Sequence, residues 1–209
     1  MTKEDIKMFN IITLGDSGVG KTSIINRFID NIFDNNISST IGMNFRIKEM
    51  IVNEKDKVKL KLMDTCGQEK YRALTKTYLK NADVVLFVFS MDDNDTFNNI
   101  AEWIELFKEN NCKEENAPKY LVGNKSDLKI EVKKSLIDEF AEKNDIPFIS
   151  TSAKENKCVN ELFEKIGEKL YLDNIQKGVQ KQNNIKIKFE KENKKKKCCL
   201  FKADLLMEK

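Results

Sequence analysis

The sequence predicts an α/β protein built on a parallel sheet. Three observations lead there. Short apolar runs alternate with stretches of helical periodicity. A glycine-rich turn sits between the first apolar run and the first helical pattern. The polar motifs that follow stand at the ends of later apolar runs, and ligands of parallel sheets bind beyond the strands' carboxyl ends. With 209 residues, 40% of them apolar, the chain can bury one full core and still carry a tail.

The first strand is read at Met8-Phe9-Asn10-Ile11-Ile12-Thr13-Leu14. Gly15-Asp16-Ser17-Gly18-Val19-Gly20-Lys21-Thr22 follows and fits G-x-x-x-x-G-K-[ST]. Ile24, Ile25, Phe28 and Ile29 then open a helix. Glycines let backbone N–H groups turn toward an anion, and the helix start adds its positive dipole end. The loop from Asp16 to Ser23 therefore predicts a triphosphate cradle. Lys21 reaches the β/γ-phosphates and the Thr22 hydroxyl faces Mg²⁺.

The alternating run Val58-Lys59-Leu60-Lys61-Leu62 predicts a strand ending at Asp64-Thr65-Cys66-Gly67-Gln68-Glu69. An Asp at that end suits Mg²⁺ through a water. Gly67 brings its N–H toward a γ-phosphate, and Gln68 orients a water for in-line attack. Val84–Phe89 reads as a buried strand, too short an apolar run to span a bilayer. The helix after Thr96 repeats Phe97, Ile100, Ala101, Ile104 and Phe107 on one face, a core stripe.

Tyr120-Leu121-Val122-Gly123 runs into Asn124-Lys125-Ser126-Asp127. A carboxylate at Asp127 accepts from guanine N1–H and the exocyclic amine, whereas adenine leaves it unpaired. Asn124 either complements the base edge or ties this loop to the P-loop. The Lys125 stem lies along the purine face. Ile146-Pro147-Phe148-Ile149 precedes Thr151-Ser152-Ala153-Lys154, where the Ala153 N–H meets the guanine carbonyl oxygen. Either tetrapeptide alone is a weak signal; both at strand ends, in this order after a P-loop, make a strong one. Val159, Leu162, Phe163, Ile166 and Leu170 form a last helical core stripe.

These stretches, with Ser39-Thr40-Ile41-Gly42-Met43-Asn44-Phe45 and Phe97-Asn98-Asn99, resemble a small Ras-like GTPase, and most closely its Rab branch. The resemblance covers roughly residues 8–172. It implies the P-loop GTPase fold, a six-stranded, mostly parallel sheet flanked by helices on both faces. It implies that Thr40 closes on Mg²⁺ and γ-phosphate only in the GTP state, and that Phe33 packs against the guanine edge. It implies a trafficking switch served by exchange factors, activating proteins and effectors. The nucleotide-binding set is then Asp16, Ser17, Gly18, Val19, Gly20, Lys21, Thr22, Ser23, Phe33, Thr40, Gly67, Asn124, Lys125, Asp127, Ser152, Ala153 and Lys154. Thr22, Thr40 and Asp64 serve Mg²⁺, and Lys21 and Gln68 serve catalysis.

Two positions depart from the branch pattern, and a third, tolerated within the branch, departs from Ras itself. Met63 stands where relatives carry Trp, so their surface triad becomes Phe45, Met63 and Tyr78. Cys66 replaces a small apolar residue. Ser17 stands where Ras itself has Gly. Nothing in the sequence identifies an arginine that completes the site in cis, so slow intrinsic hydrolysis is expected. A partner arginine accelerates such reactions about 10³–10⁵-fold. Rab-type activating proteins are also expected to supply a glutamine.

The chain has no His, which removes His triads, His zinc sites and His pH switches. Cys66, Cys112, Cys158, Cys198 and Cys199 include no C-x-x-C pair, and no secretory signal pattern is present. A cytoplasmic setting fits. Residues 177–209 hold 11 Lys against 4 acids, a charge of +7 in a chain of net +3, so the body is −4. Lys194–Lys197 precede Cys198-Cys199, candidates for lipidation, but ten residues follow them and no terminal C-a-a-X exists. The expected organisation is a flexible N-terminus at 1–7, the GTPase domain at 8–175 and a basic tail at 176–209. The tail predicts peripheral association with the cytosolic face of an endomembrane or the plasma membrane. It lacks the aromatic interleaving of nucleic-acid binders. The competing readings are a non-hydrolysing guanine-nucleotide scaffold and a P-loop kinase; Asn124–Asp127 argues against the kinase.

Overall fold

The computed structural model describes residues 6–36, 40, 42–53, 56–67, 72–110 and 117–177, with backbone only for 72–75. The strands are β1 (Met8–Leu14), β2 (Met43–Val52), β3 (Asp56–Thr65), β4 (Val84–Ser90), β5 (Lys119–Asn124) and β6 (Phe148–Ser150). They form one six-stranded sheet in the order β2-β3-β1-β4-β5-β6. Only the β2–β3 pairing is antiparallel. The helices are α1 (Lys21–Asp30), α2 (Arg72–Leu79), α3 (Asn94–Asn98), α4 (Ile100–Asn110) and α5 (Lys134–Asn144). A further helix, α6, covers 159–168.

Parallel strands need crossover connections, and the helices that supply them cover the sheet. Every residue of β4 is accordingly buried. Ile12 and Leu14 of β1 and Val85, Phe87 and Phe89 of β4 join one core cluster with Trp103, Ile104 and Phe107 of α4 and Ile137 of α5. The residues between them, Ile11, Val84, Leu86 and Val88, point to the opposite face and are buried too. Phe28 of α1 stacks on Phe163 of α6 with ring centroids 4.0 Å apart. β3 alternates as its sequence predicts, with Val58, Leu60 and Leu62 buried and Lys59 and Lys61 reaching solvent.

The stripe predicted after Thr96 needs one correction. Ala101 is exposed and Trp103 takes its place, only 2% exposed. At about 100° per residue, Ala101 stands farther from the axis shared by Ile100, Ile104 and Phe107 than Trp103, whose large indole joins the core from the flank of the stripe. Asp93 caps α3, its carboxylate accepting from the N–H groups of Asp95 at 2.9 Å and Thr96 at 3.4 Å.

The chain divides into two compact units, Met1–Glu168 and Lys169–Lys209. The first holds the sheet, helices α1–α5 and the helical residues 159–168. In the second, residues 169–177 are helical, with Lys169 and Asp173 paired at 2.9 Å one turn apart.

Parallel register brings the chemistry to one edge. Leu14 pairs with Phe87, Ser90 with Asn124, and Gly123 with Ser150. The segments that leave β1, β3, β5 and β6 therefore emerge side by side. Phe87 lies at the centre, fully buried and in edge contact with Phe107 at 6.1 Å. Phe87→Ala is expected to destabilise the fold by about 3–5 kcal/mol, read as a lower urea midpoint.

Candidate functional site

The segments leaving those strands enclose a cleft of about 370 Å³. From the P-loop it is lined by Ser17, Gly18, Gly20, Lys21, Thr22 and Ser23, and from between α1 and β2 by Phe33 and Thr40. Gly67, Asn124, Lys125, Asp127, Ala153 and Lys154 complete the predicted lining. Asp34, Asn35, Thr65, Cys66 and Leu128 line it too. The sequence reading did not place Asp34, Asn35, Thr65 or Leu128 there. Leu128 directly follows N-K-x-D, which could have marked it; Asp34 and Asn35 carry no motif.

Two glycines make the P-loop possible. Gly20 has φ +93°, and a Cβ there would collide with the Asn124 side chain. A Cβ on Gly67 would collide with the backbone of Asp16 and Ser17, so the segment after Asp64 approaches the P-loop only as glycine.

Lys21 is 5% exposed, and its Nζ donates to the carbonyl oxygens of Gly15 at 2.8 Å and Asp16 at 2.7 Å. Burial pushes its pKa down to about 8, against the pull of the Asp64 and Asp16 carboxylates. Asp64 is 6% exposed, and burial pushes its carboxyl up, against the Thr22 hydroxyl and the Lys21 charge. Asp64 Oδ2 accepts from Thr22 Oγ1 at 2.7 Å and from Thr40 Oγ1 at 3.4 Å. The two hydroxyls are 2.9 Å apart. Asp64 Oδ1 is buried without a hydrogen-bond partner among the described residues. A buried carboxylate oxygen without a partner signals a group still to be bound. The donors are all oxygen and one is anionic, so the cluster fits a small hard divalent cation.

At the opposite end, Asn124 takes the second of its two sequence readings. Its Nδ2 donates to Val19 O at 2.9 Å, which ties the loop to the P-loop. Its Oδ1 accepts from Ala153 N at 3.2 Å and Thr151 Oγ1 at 3.3 Å. Ser152 Oγ donates to Asp127 Oδ1 at 2.6 Å and itself accepts from Glu155 N at 3.0 Å. Ser152 is fully buried, so it acts by holding Asp127 rather than by lining the cleft. Lys125 sits at φ +61°, in the left-handed region.

Four predicted residues do not line the cleft. Asp16 turns its carboxylate away, accepting from Asn99 Nδ2 at 2.8 Å and Trp103 Nε1 at 2.7 Å, while its carbonyl serves Lys21. Val19 is buried, and its carbonyl serves Asn124. Ser152 and Asp64 stand behind the residues they position. Gln68 lies outside the described residues. Met63 is 4% exposed while its strand partner Phe45 is 57% exposed, so the surface triad keeps Phe45 and Tyr78 but not Met63. Cys66 is buried, with its N–H donated to Gly42 O at 3.2 Å.

The Lys21 environment makes a measurable prediction. Its folded-state pKa lies below the unfolded value, so the nucleotide-free protein carries the strain of a buried charge below about pH 8. That strain fades toward pH 10.5 as the folded form sheds a proton the unfolded chain keeps. An anion beside Nζ restores the proton. Binding of a phosphate anion in the cleft is expected to drive Lys21 to take up only a small fraction of a proton at pH 7 and most of one at pH 9. Calorimetry in buffers of different ionisation enthalpy reads this number, and a pH-independent value contradicts it.

Comparison with known proteins agrees with the geometry. The "Ras family" model matches residues 10–172. The chain is 38% identical over 161 residues to Ras-related protein Rab-1A of Dictyostelium discoideum, covering 75% of this chain and 77% of that one. It is 38% identical over 165 residues to GTP-binding protein ypt1 of Schizosaccharomyces pombe, covering 78% and 80%. It is 41% identical over 157 residues to Ras-related protein SEC4 of Saccharomyces cerevisiae, covering 75% and 72%. With its P-loop, its acid–hydroxyl cluster and its two tetrapeptide loops around one cleft, the chain belongs to the Ras family of GTP-hydrolysing proteins, in its Rab branch.

Proposed function

We propose that this chain is a Mg²⁺-dependent GTP/GDP switch of membrane traffic, its two states distinguished by segments around Thr40 and Gly67. One observation carries the reading. A single cleft has an anion cradle around Lys21 at one end and the Asp127–Ser152 pair at the other. Hydrolysis needs a positioned water and stabilised charge, with little covalent work by the protein. Lys21 and the P-loop N–H groups supply the charge stabilisation. Thr22, Thr40 and Asp64 would hold Mg²⁺, whose chemistry when bound is to neutralise phosphate charge. Gln68, assigned from its motif, orients the attacking water. Asp127 selects guanine.

Thr40 and Gly67 are the differential contacts. Thr40 is held by Thr22 and Asp64, and Gly67 lies against Asp16 and Ser17. Both have reason to reorganise when a γ-phosphate and cation arrive or leave. Exchange factors, activating proteins and effectors then act on these segments. Residues 8–175 form the switch domain in this reading. The basic tail at 176–209, with Cys198 and Cys199, provides peripheral contact with an anionic cytosolic leaflet. Both cysteines lie outside the described residues. No described helix is long and apolar enough to cross a membrane. The intact set Lys21, Thr22, Thr40 and Asp64 counts against a non-hydrolysing scaffold.

Stripped protein resupplied with magnesium is expected to bind GTP and GDP in preference to ATP, and equal binding overturns the reading. In single-turnover assays Gln68→Leu is expected to slow GTP hydrolysis about tenfold or more while leaving GTP affinity unchanged. Unchanged turnover removes Gln68 from the mechanism.

A further inference from the structure

The loop over 152–157 that presents Ala153 is closed on itself. Ser152 and Lys157 exchange backbone hydrogen bonds of 3.0 and 2.9 Å. Its ties to the base side of the cleft run through Asn124 and Asp127. On the other side the loop meets α1 mainly through Arg27, a residue that no motif singles out. Arg27 Nε donates to Ala153 O at 2.7 Å, and Nη2 donates to Lys154 O at 3.1 Å. Its Nη1 donates to the carbonyl and side-chain oxygens of Asn31, at 2.7 and 3.1 Å. Asn31 ends α1 in the left-handed conformation, its N–H donated to Arg27 O at 3.0 Å, and Asn156 Nδ2 of the same loop donates to Asn31 Oδ1 at 3.3 Å. Three guanidinium nitrogens are thus committed in one plane, a role that a flexible ammonium cannot reproduce.

We propose that Arg27 is a positioning residue for guanine recognition. It locks the loop bearing Ala153 to the C-terminal end of the helix whose N-terminal end carries Lys21 and Thr22. The phosphate cradle and the base-reading loop are thereby coupled through one ten-residue helix. Arg27 is not among the residues that line the cleft. By holding the Ala153 carbonyl it sets where the Ala153 N–H stands, which donates to Asn124 Oδ1 in this structure and must turn to the guanine 6-oxygen when the base enters, and so it governs how long that oxygen is held. The proposal rests on the guanine-reading role of Ala153 and Asp127.

The test measures nucleotide release from the full chain in magnesium for wild type, Arg27→Ala and Arg27→Lys. Two probes are used, GDP and 6-thioguanosine diphosphate. The second keeps N1–H and the 2-amino group but presents a weakly accepting sulfur at position 6. Arg27→Ala is expected to release GDP about tenfold faster, the size of one lost charge-assisted positioning contact. Arg27→Lys is expected to fall between, since one ammonium replaces a three-nitrogen fork. Release of the thio analogue is expected to change less than about twofold, because the contact at position 6 is already weak. Single-turnover hydrolysis of pre-bound GTP stays at the wild-type rate. Equal acceleration of both probes indicates general loosening and overturns the proposal, as does GDP release within twofold of wild type. If Arg27→Ala does not fold, the Lys variant decides on the same criterion. Wild-type protein holding GDP no longer than ADP overturns the base-reading assignment itself, and this proposal with it.

Discussion

A lysine ammonium withdrawn from water needs compensating dipoles or an anion. Lys21 has two backbone carbonyls, those of Gly15 and Asp16, with Asp64 as the largest opposing charge nearby. Much of the surrounding structure follows from that arrangement. The loop turns the Asp16 carbonyl inward, so its carboxylate points out, where Trp103 and Asn99 receive it. Asn124 clamps Val19 from the other side. The loop is therefore braced by β5 and α4 as well as by the strand and helix it joins. A triphosphate entering this cradle meets a cation already desolvated and aimed, which is where electrostatic preorganisation acts most strongly.

The same economy of anchors separates rigid from switchable parts. The braced side centres on the buried parallel strands β4 and β5, and the loops proposed to read the base leave from β5 and from the half-buried β6 beside it. Thr40 and Gly67 flank the antiparallel β2–β3 pair at the sheet edge. Among the described residues, Thr40 is tied inward only through Thr22 and Asp64, and Cys66 only through one backbone bond to Gly42. Segments held by few contacts, next to an incompletely satisfied carboxylate, change state at small free-energy cost. A fully braced loop does not.

Legibility in the sequence tracked locality. The P-loop could be read because its glycines, lysine and threonine are consecutive and need only a strand before and a helix after. The strand periodicities of β1, β3 and β4 were readable because burial on one or both faces leaves a local pattern. Motif membership puts Asp16 beside the nucleotide but says nothing about side-chain direction, and its carboxylate turns to Asn99 and Trp103 instead. Asn124 had two open readings, and only a carbonyl 105 residues away in the chain chose between them. Met63 stayed in the surface triad because exposure depends on how β2 and β3 meet the core. Arg27 was invisible, since its partners lie 126 and 127 residues downstream and its own position carries no motif.

The sequence alone determined the alternation of strands and helices, the order of the three phosphate, metal and base motifs, and the basic tail. Those depend on periodicity, local backbone freedom and charge, all of which act between near neighbours. Tertiary structure alone decided that the motifs share one cleft, that Asp64 Oδ1 is buried without a partner among the described residues, and that Trp103 and Arg27 brace loops distant in sequence. Such relations arise from strand register and packing, where residues far apart along the chain come within hydrogen-bond distance.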